Sequence, residues 1–185
     1  MSRAARIAAA LRRRRAFLRG TDGSSTVEFV ICVPVLMVFL LSGIELGLLM
    51  TRGVLIDRAV EMAVREVRIG ALAPVTHDTL RDRVCELMPI MENCQADLRL
   101  EMQTLNPRAA ITITREADCV DRGDPEKPLR STFDQLNSNQ ITIVRACALF
   151  DPLFPTTGLA ASLHKESENA YALVSNSLFV VEPRE

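Results

Sequence analysis

The sequence predicts an α+β protein in which one long N-terminal helix, half in a membrane and half amphipathic, carries a small antiparallel sheet. A 22-residue apolar run from Phe29 to Met50 contains one charge, Glu45. The run is long enough to cross a hydrocarbon core about 30 Å thick. Apolar residues continue at helical spacing beyond the run, and after Cys94 the spacing changes to the alternation that is typical of strands.

The helix is expected to continue without a break from the apolar run into an amphipathic segment. On one face of this segment, apolar residues recur at helical spacing: Ile56, Val60, Ala63 and Val67. Such a stripe predicts a packing surface for a folded head. Gly70 and Pro74 are helix-stop signals, so the helix should run from about Thr26 to about Ile69.

The rest of the chain predicts a short helix and several strands. Thr76 to Met88 reads as a helix with Thr76 as its N-cap. Alternating residues predict a hairpin, with strands at Leu98–Met102 and Ile111–Ile113 on either side of an Asn106-Pro107 turn. A third strand is expected at Gln140–Leu149 and a fourth at Ala170–Val181, where the Ala and Leu content leaves a helix open.

Charge is distributed unevenly along the chain. The first 19 residues hold seven arginines, and residues 24–185 hold 15 basic and 22 acidic groups. The excess of acidic over basic groups in residues 24–185 argues against nucleic-acid binding by the folded part. The arginine excess before the apolar run places the N-terminus in the cytoplasm and the C-terminal part outside. The length of the run, with no small-residue cleavage site after it, argues against a removable secretory signal.

The cysteines agree with an exported folded part. Cys32 lies inside the apolar run and is expected to be an inert apolar residue. Cys85, Cys94, Cys119 and Cys147 are an even number, which predicts two disulfides in an oxidising periplasm. Three pairings exist, and Cys85–Cys94 with Cys119–Cys147 is favoured because each bond closes a local unit. A zinc site is disfavoured because the chain has no Cys-x-x-Cys motif.

Glu28 stands at the boundary of the apolar run, five residues after Gly23. A charge inside lipid costs about 2–3 kcal/mol or more, so this carboxylate implies a partner or a purpose. Gly23 has no side chain, so its backbone suits an extended protease cleft. Cleavage there would free the amine of Ser24, and Glu28 of a neighbouring subunit would meet that amine in a filament of staggered helices. The alternative is that Glu28 sits at the inner headgroup boundary in contact with water.

The basic leader, Gly23, the Glu28-Phe29 pair, Pro34 within the run and the near-terminal Glu182-Pro183 together resemble the TadE/TadF family of minor pseudopilins of the tight-adherence (Tad) pilus. The specific part of the resemblance covers residues 20–52. It implies a pilin-like fold with three parts: a basic leader (1–23), a long helix (24–70) and a periplasmic domain (71–185).

The resemblance also implies what the protein does. A prepilin peptidase would cut between Gly23 and Ser24, and the product would help to assemble an adhesive pilus without being an enzyme or needing a cofactor. Its partners would be that peptidase, sister pseudopilins, the major pilin and an inner-membrane assembly platform. The protein would cross the bacterial inner membrane once, and its incorporation into the filament is left open. The alternative is an uncleaved, single-span anchor whose periplasmic domain scaffolds an envelope complex.

The sequence leaves the roles of four further residues of the helix open. Pro34 removes one helical hydrogen bond, which either eases extraction from lipid or is a tolerated kink. Gly43 and Gly47 form a small-xxx-small pair that allows a close helix contact, although glycine is common in membrane helices. Glu45 lies about 25 Å along the helix from Glu28, so it is expected in the outer headgroup region, with a subunit contact disfavoured.

The exported part carries few signs of chemistry. His77 and His164 are isolated, without a nucleophile motif, which disfavours a membrane-anchored hydrolase. Four acidic residues lie in one loop: Asp118, Asp121, Asp124 and Glu126. Their spacing lacks the calcium-loop pattern, so a solvated acidic loop is preferred over a calcium site.

Overall fold

The computed structural model describes residues 24–105, 117–124, 133–136, 139–167 and 169–181. These residues form four helices and three strands, in chain order α1 (Ser24–Arg68), α2 (His77–Glu86), α3 (Cys94–Asp97), β1 (Leu98–Leu105), β2 (Ile141–Phe150), α4 (Gly158–Ser162) and β3 (Tyr171–Val180). A long apolar helix followed by a small antiparallel sheet is the α+β fold that the sequence predicts, and the prediction is confirmed.

Helix α1 is 45 residues long and continues through Pro34. Its end is set by Gly70, whose φ of 76° lies in the left-handed region that glycine adopts without strain. The amide of Gly70 donates to the carbonyl of Val67 as the helix closes. Along the sequence, the structure divides into two compact units between Leu41 and Ser42.

The sheet has the order β1-β2-β3, and both pairs of strands are antiparallel. The predicted third and fourth strands are confirmed to within one residue at each end, and the helix alternative for the fourth is wrong. Strand β1 lies where the first hairpin strand is expected, and its antiparallel neighbour in the described part of the chain is β2. The predicted partner Ile111–Ile113 lies outside the described residues.

The main core lies between one face of α1 and the sheet. Its members from α1 include the predicted stripe, and Ile56, Val60, Ala63 and Val67 are each at most 1% exposed. They belong to one cluster with buried residues of β1 and β2, among them Leu100, Met102, Val144 and Ala146. The predicted packing surface is therefore confirmed. Each fully buried valine, leucine, isoleucine or methionine side chain contributes about 1.5–3 kcal/mol to the free energy of folding.

Helix α2 begins at a capping box that holds its first turn. The Thr76 hydroxyl accepts from the Thr79 amide, and the Thr79 hydroxyl accepts from the Thr76 amide. These two bonds satisfy donors that the first turn of a helix otherwise leaves unpaired. The predicted N-cap is confirmed, and α2 buries Leu80 and Val84 against the core.

Two disulfides join neighbouring parts of the unit that begins at Ser42. Cys85 is bonded to Cys94, which connects α2 to α3, and Cys119 is bonded to Cys147, which connects segment 117–124 to β2. The Cα–Cα distances are 5.6 and 5.3 Å. These are the pairs favoured from the sequence. Cys32, on the apolar part of α1, is a free and exposed thiol.

An ion pair joins the end of α1 to α2 and predicts a pH dependence. The Arg83 guanidinium donates to both carboxylate oxygens of Glu66, at 2.8 and 2.6 Å. This hydrogen bonding lowers the pKa of Glu66 below its ordinary value. A lowered folded-state pKa contributes stability above the unfolded-state pKa, and that stability is lost as the pH falls through the folded-state pKa.

We therefore expect Glu66→Gln to lower the melting temperature of the chain at pH 7 and to have a shrinking effect as the solution is acidified below the ordinary pKa of a glutamate. Thermal unfolding followed by circular dichroism across this pH range measures both curves. Glu61→Gln, an exposed position on the same helix, is the matched control and should stay close to the parent at every pH. A gap between parent and Glu66→Gln that is constant with pH would contradict the assignment.

Candidate functional site on the long helix

Residues 25–41 of α1 form an exposed apolar surface. Their large side chains are mostly open, with Phe29 67% and Phe39 73% exposed. The helix contains an 18-residue window of mean hydropathy 2.5, none of it buried. By length and composition, this helix is able to cross a membrane. Exposed apolar surfaces of this size mark sites of contact with a membrane or with another protein.

Glu28 lies on this surface, one helical turn after Ser24, the first residue of α1. Its side chain is in the exposed class, as is its neighbour Phe29. Gly23, on the other side of the predicted cleavage site, lies outside the described residues. The predicted pairing of Glu28 with another subunit is compatible with this exposure, and it stays a prediction.

The glycines predicted as a contact surface lie on the side of α1 that points away from the head. Gly43 and Gly47 are both exposed, and a Cβ built on either would have no heavy atom within 4 Å. Their lack of a side chain is therefore not required by packing within the described part of the chain. A close helix contact at these glycines would have to involve another molecule.

Glu45 is the buried charge of the helix, with 1% of its surface exposed. Its carboxylate accepts hydrogen bonds from the backbone amides of Leu153 and Phe154, at 3.0 and 3.2 Å. One turn earlier, the Ser42 hydroxyl oxygen accepts from the amide of Leu159 at 3.2 Å. Hydrogen bonds to a charged acceptor are strong and offset the cost of removing the carboxylate from water. Glu45 thus fastens the helix to the loop after β2.

Arg52 extends this polar contact two turns further along α1. Its guanidinium donates to the carbonyl of Asp151 at 2.9 Å and to the hydroxyl of Tyr171 at 2.6 Å. The same group lies 5.1 Å from the centre of the Phe150 ring, a cation–π distance. Burial raises the pKa of Tyr171, and the hydrogen bond from Arg52 opposes that rise. Glu45 and Arg52 together form what we call the polar anchor.

The sequence-based prediction places Glu45 in the outer headgroup region and gives neither Glu45 nor Arg52 a contact with the head, although the sequence carries a signal for this contact. Glu45, Leu49, Arg52 and Ile56 follow one another at intervals of three or four residues. This spacing continues the predicted apolar stripe backwards along the same helix face. A charge that falls on the packing face of a helix is a candidate for a buried contact with the head.

The acidic loop is held by interactions within the protein. The Asp118 carboxylate lies 3.5 Å from Arg99, and the Asp118 amide donates to the carboxylate of Glu101. Asp121 accepts from the amide of Gly123 at 3.0 Å. Among the residues that the structure describes, no group of three or more His, Cys, Asp or Glu is arranged to hold a metal ion. Glu126 lies outside these residues.

The two histidines lie in different surroundings. The His77 ring stands edge-on to Phe133, with 5.9 Å between ring centres, and its Nδ1 is 3.2 Å from Asp78. The side chain of His164 is 91% exposed, with Glu166 at 3.9 Å. Each of these rings thus lies beside a carboxylate, and the His77 ring also packs against an aromatic ring.

Comparison with known proteins places one match on this helix. The family model described as "TadE-like protein" matches residues 23–65. The match begins at Gly23 and covers the exposed surface, the polar anchor and much of the packing stripe. No match was found among curated proteins or among solved structures. The resemblance predicted from the sequence is confirmed over the matched segment.

Proposed function

We propose that this chain, whose long helix is TadE-like, is a minor pseudopilin that a prepilin peptidase cleaves between Gly23 and Ser24 and that is required to assemble a Tad-type adhesive pilus. The observation that carries the proposal is the family match at residues 23–65, a segment that includes the part of α1 with an open apolar surface. Such a surface suits lipid before assembly and neighbouring helices after it.

The proposed location is the bacterial inner membrane, crossed once, with the N-terminus in the cytoplasm and the head in the periplasm. The seven arginines before the helix support this orientation. The two disulfides support an oxidising compartment for the head. The proposed partners are the prepilin peptidase, sister pseudopilins, the major pilin and the inner-membrane assembly platform. In this role the protein is a structural component and not an enzyme.

The proposed roles of individual residues follow from their positions. Gly23 and Ser24 flank the scissile bond, and Glu28 with Phe29 sets the register between neighbouring subunits. Pro34, inside the exposed part of α1, weakens one backbone bond of the helix and so eases its extraction from lipid. The head is fastened to α1 from Ser42 onwards, which leaves the preceding residues open to contact other helices.

The mature N-terminus tests the proposed cleavage. Mass spectrometry of the protein isolated from cells with an active prepilin peptidase is expected to find a chain that begins at Ser24. Gly23→Val should keep the leader, because a branched side chain obstructs the extended protease cleft. Gly20→Val, at a second glycine of the leader, is the matched control and should be processed normally.

The alternative is an uncleaved, single-span anchor that scaffolds an envelope complex. It predicts a wild-type chain that begins at Met1 in the same cells. That result would remove the pseudopilin proposal and would leave the membrane helix and the folded head in place.

A further inference from the structure

The segment after β2 is uncharged and mostly apolar, with exposed hydroxyls at Thr156, Thr157 and Ser162, and it is only partly covered by the protein. Residues 152–163 read Pro-Leu-Phe-Pro-Thr-Thr-Gly-Leu-Ala-Ala-Ser-Leu, without a charge. Leu153 is 54% exposed, and Pro155 and Ala161 are also exposed. Charged or titratable residues border the segment on both sides: Asp151, His164 and Lys165. We refer to residues 152–163 as the apolar loop.

The apolar loop is fixed to α1 within the predicted membrane span. Its amides bond to Glu45 and Ser42, which both lie in the run from Phe29 to Met50. A hydrocarbon core of about 30 Å takes up about 20 helical residues, so a core that begins at Phe29 ends near Leu48. The level of Glu45 is then about 5 Å inside the core, deeper than the headgroup position expected from the sequence.

The opposite side of α1 at this level supports the same depth. Its outward-facing side chains are apolar and exposed, with Ile44 at 44%, Leu46 at 45% and Met50 at 59%. Charged residues appear on this side only from Asp57 onwards. At the level of Glu45, therefore, α1 has an open apolar surface on one side and the apolar loop on the other.

Several amides of the apolar loop have hydrogen-bond partners within the protein. Irregular backbone at membrane depth needs internal hydrogen-bond partners, because lipid offers none. The amides of Leu153 and Phe154 bond to Glu45, and the amide of Leu159 bonds to Ser42. Pro152 and Pro155 have no amide proton to satisfy. Ser42 and Glu45, the polar residues of the predicted span, thus accept hydrogen bonds from amides of this loop.

We propose that the apolar loop is a second membrane contact, inserted into the outer leaflet beside α1 with the Leu153 side chain among the acyl chains. Interfacial segments insert to a depth of about 5–10 Å, which agrees with the level of Glu45. The inference rests on the proposed insertion of α1 in the membrane. It gives the head a direct hold on the bilayer, so extraction of the subunit would withdraw the loop together with the helix.

The test is a depth measurement on the full chain in vesicles of phosphatidylethanolamine and phosphatidylglycerol. Cys32→Ala first removes the free thiol, and single nitroxide labels are then attached through Leu153→Cys or Ala161→Cys. Leu178→Cys is the matched control, because Leu178 is 63% exposed and lies seven residues after Tyr171 on β3, about 23 Å further along the strand. Met37→Cys, in the exposed part of α1, reports insertion of the helix.

The measured quantity is the collision rate of each label with oxygen, which concentrates in lipid, relative to a water-soluble nickel chelate. We expect the ratio at 153 and 161 to be several-fold higher than at 178 and lower than that at 37, because residue 37 lies about 12 Å past Phe29, nearer the bilayer midplane. A ratio at 153 and 161 equal to that at 178, with a lipid-like value at 37, overturns the loop insertion and leaves the proposed function standing.

Two other outcomes are distinguishable. Low collision rates of the 153 and 161 labels with both reagents mean that protein covers the loop, for example a second copy of this chain, and also overturn the proposal. A water-like ratio at 37 means that α1 does not insert, which overturns the proposed function together with the loop insertion. Circular dichroism of each labelled chain verifies that the head is folded.

Discussion

Replacing Glu45 by alanine is expected to lower the free energy of unfolding of the head by about 2–4 kcal/mol. The substitution leaves the amides of Leu153 and Phe154 without their acceptor. A partly buried donor that loses its partner costs about 1–3 kcal/mol. Two donors depend on the same carboxylate, so this single side chain has a larger expected effect on stability than any exposed charge of the helix.

Thermal unfolding of the full chain in detergent micelles measures this loss, and hydrogen exchange locates it. The amides of Leu153 and Phe154 should exchange much faster in Glu45→Ala than in the parent. Glu45→Gln keeps one acceptor oxygen and should fall between the two. Glu61→Ala is the matched control, since Glu61 is an exposed glutamate of the same helix. Unchanged exchange at both amides would show that Glu45 does not hold the loop.

Replacing Glu28 by alanine is expected to leave membrane insertion intact and to abolish pilus assembly. Under the proposed function, Glu28 pairs with the Ser24 amine of a neighbouring subunit in a low-dielectric filament core. Removing one member of a buried ion pair costs about 3–5 kcal/mol, because the other charge stays buried without compensation. A cost of this size weakens subunit association by a factor of about 100 or more.

The measurement is the number of pili per cell by electron microscopy, in cells whose single copy of the gene carries the substitution. The amount of the protein in the membrane fraction verifies insertion. Glu28→Gln separates charge from size and should assemble as poorly as the alanine variant, whereas Glu61→Ala should assemble normally. Normal piliation by Glu28→Ala would favour the other reading, in which the carboxylate only meets water at the headgroup boundary.

The sequence predicts the helix and its packing face well, because burial of one helix face leaves a period in the chain. Ile56, Val60 and Val67 follow this period and are buried as expected. The distance of Glu45 from Glu28, about 25 Å along the helix, leads the sequence-based prediction to place it at the headgroups. Its burial depends on amides that lie 108 and 109 residues away, and helical periodicity carries no information about a partner at that distance.

For the strands, too, the sequence predicts positions along the chain but not which strands pair. The sequence predicts the bounds of β2 and β3 to within one residue, although its Ala and Leu content leaves a helix open for β3. The pairing of Leu98 with Ala148 joins positions far apart in the chain. Alternation marks a strand without naming its neighbour. Helices α3 and α4, of four and five residues, are too short to show a helical period.

The residue types of the candidate site can be predicted from the sequence, whereas its contacts with the head cannot. The basic leader, Gly23, the Glu28-Phe29 pair, Pro34 and Glu182-Pro183 together predict the resemblance, and the match at residues 23–65 confirms it over that segment. The polar anchor and the apolar loop depend on where the head folds back along the helix, which follows from packing and not from a motif.

Because α1 from Ser42 to Arg68 supplies the helical layer of the head, the head is not separable at the end of the helix. A protein fragment that starts at Ala71 would expose the core residues Leu100, Met102 and Val144 to solvent. We expect such a fragment to aggregate. Chimaeras that exchange heads between related pilus proteins should therefore be spliced ahead of Ser42, so that each head keeps the stretch of helix on which it folds.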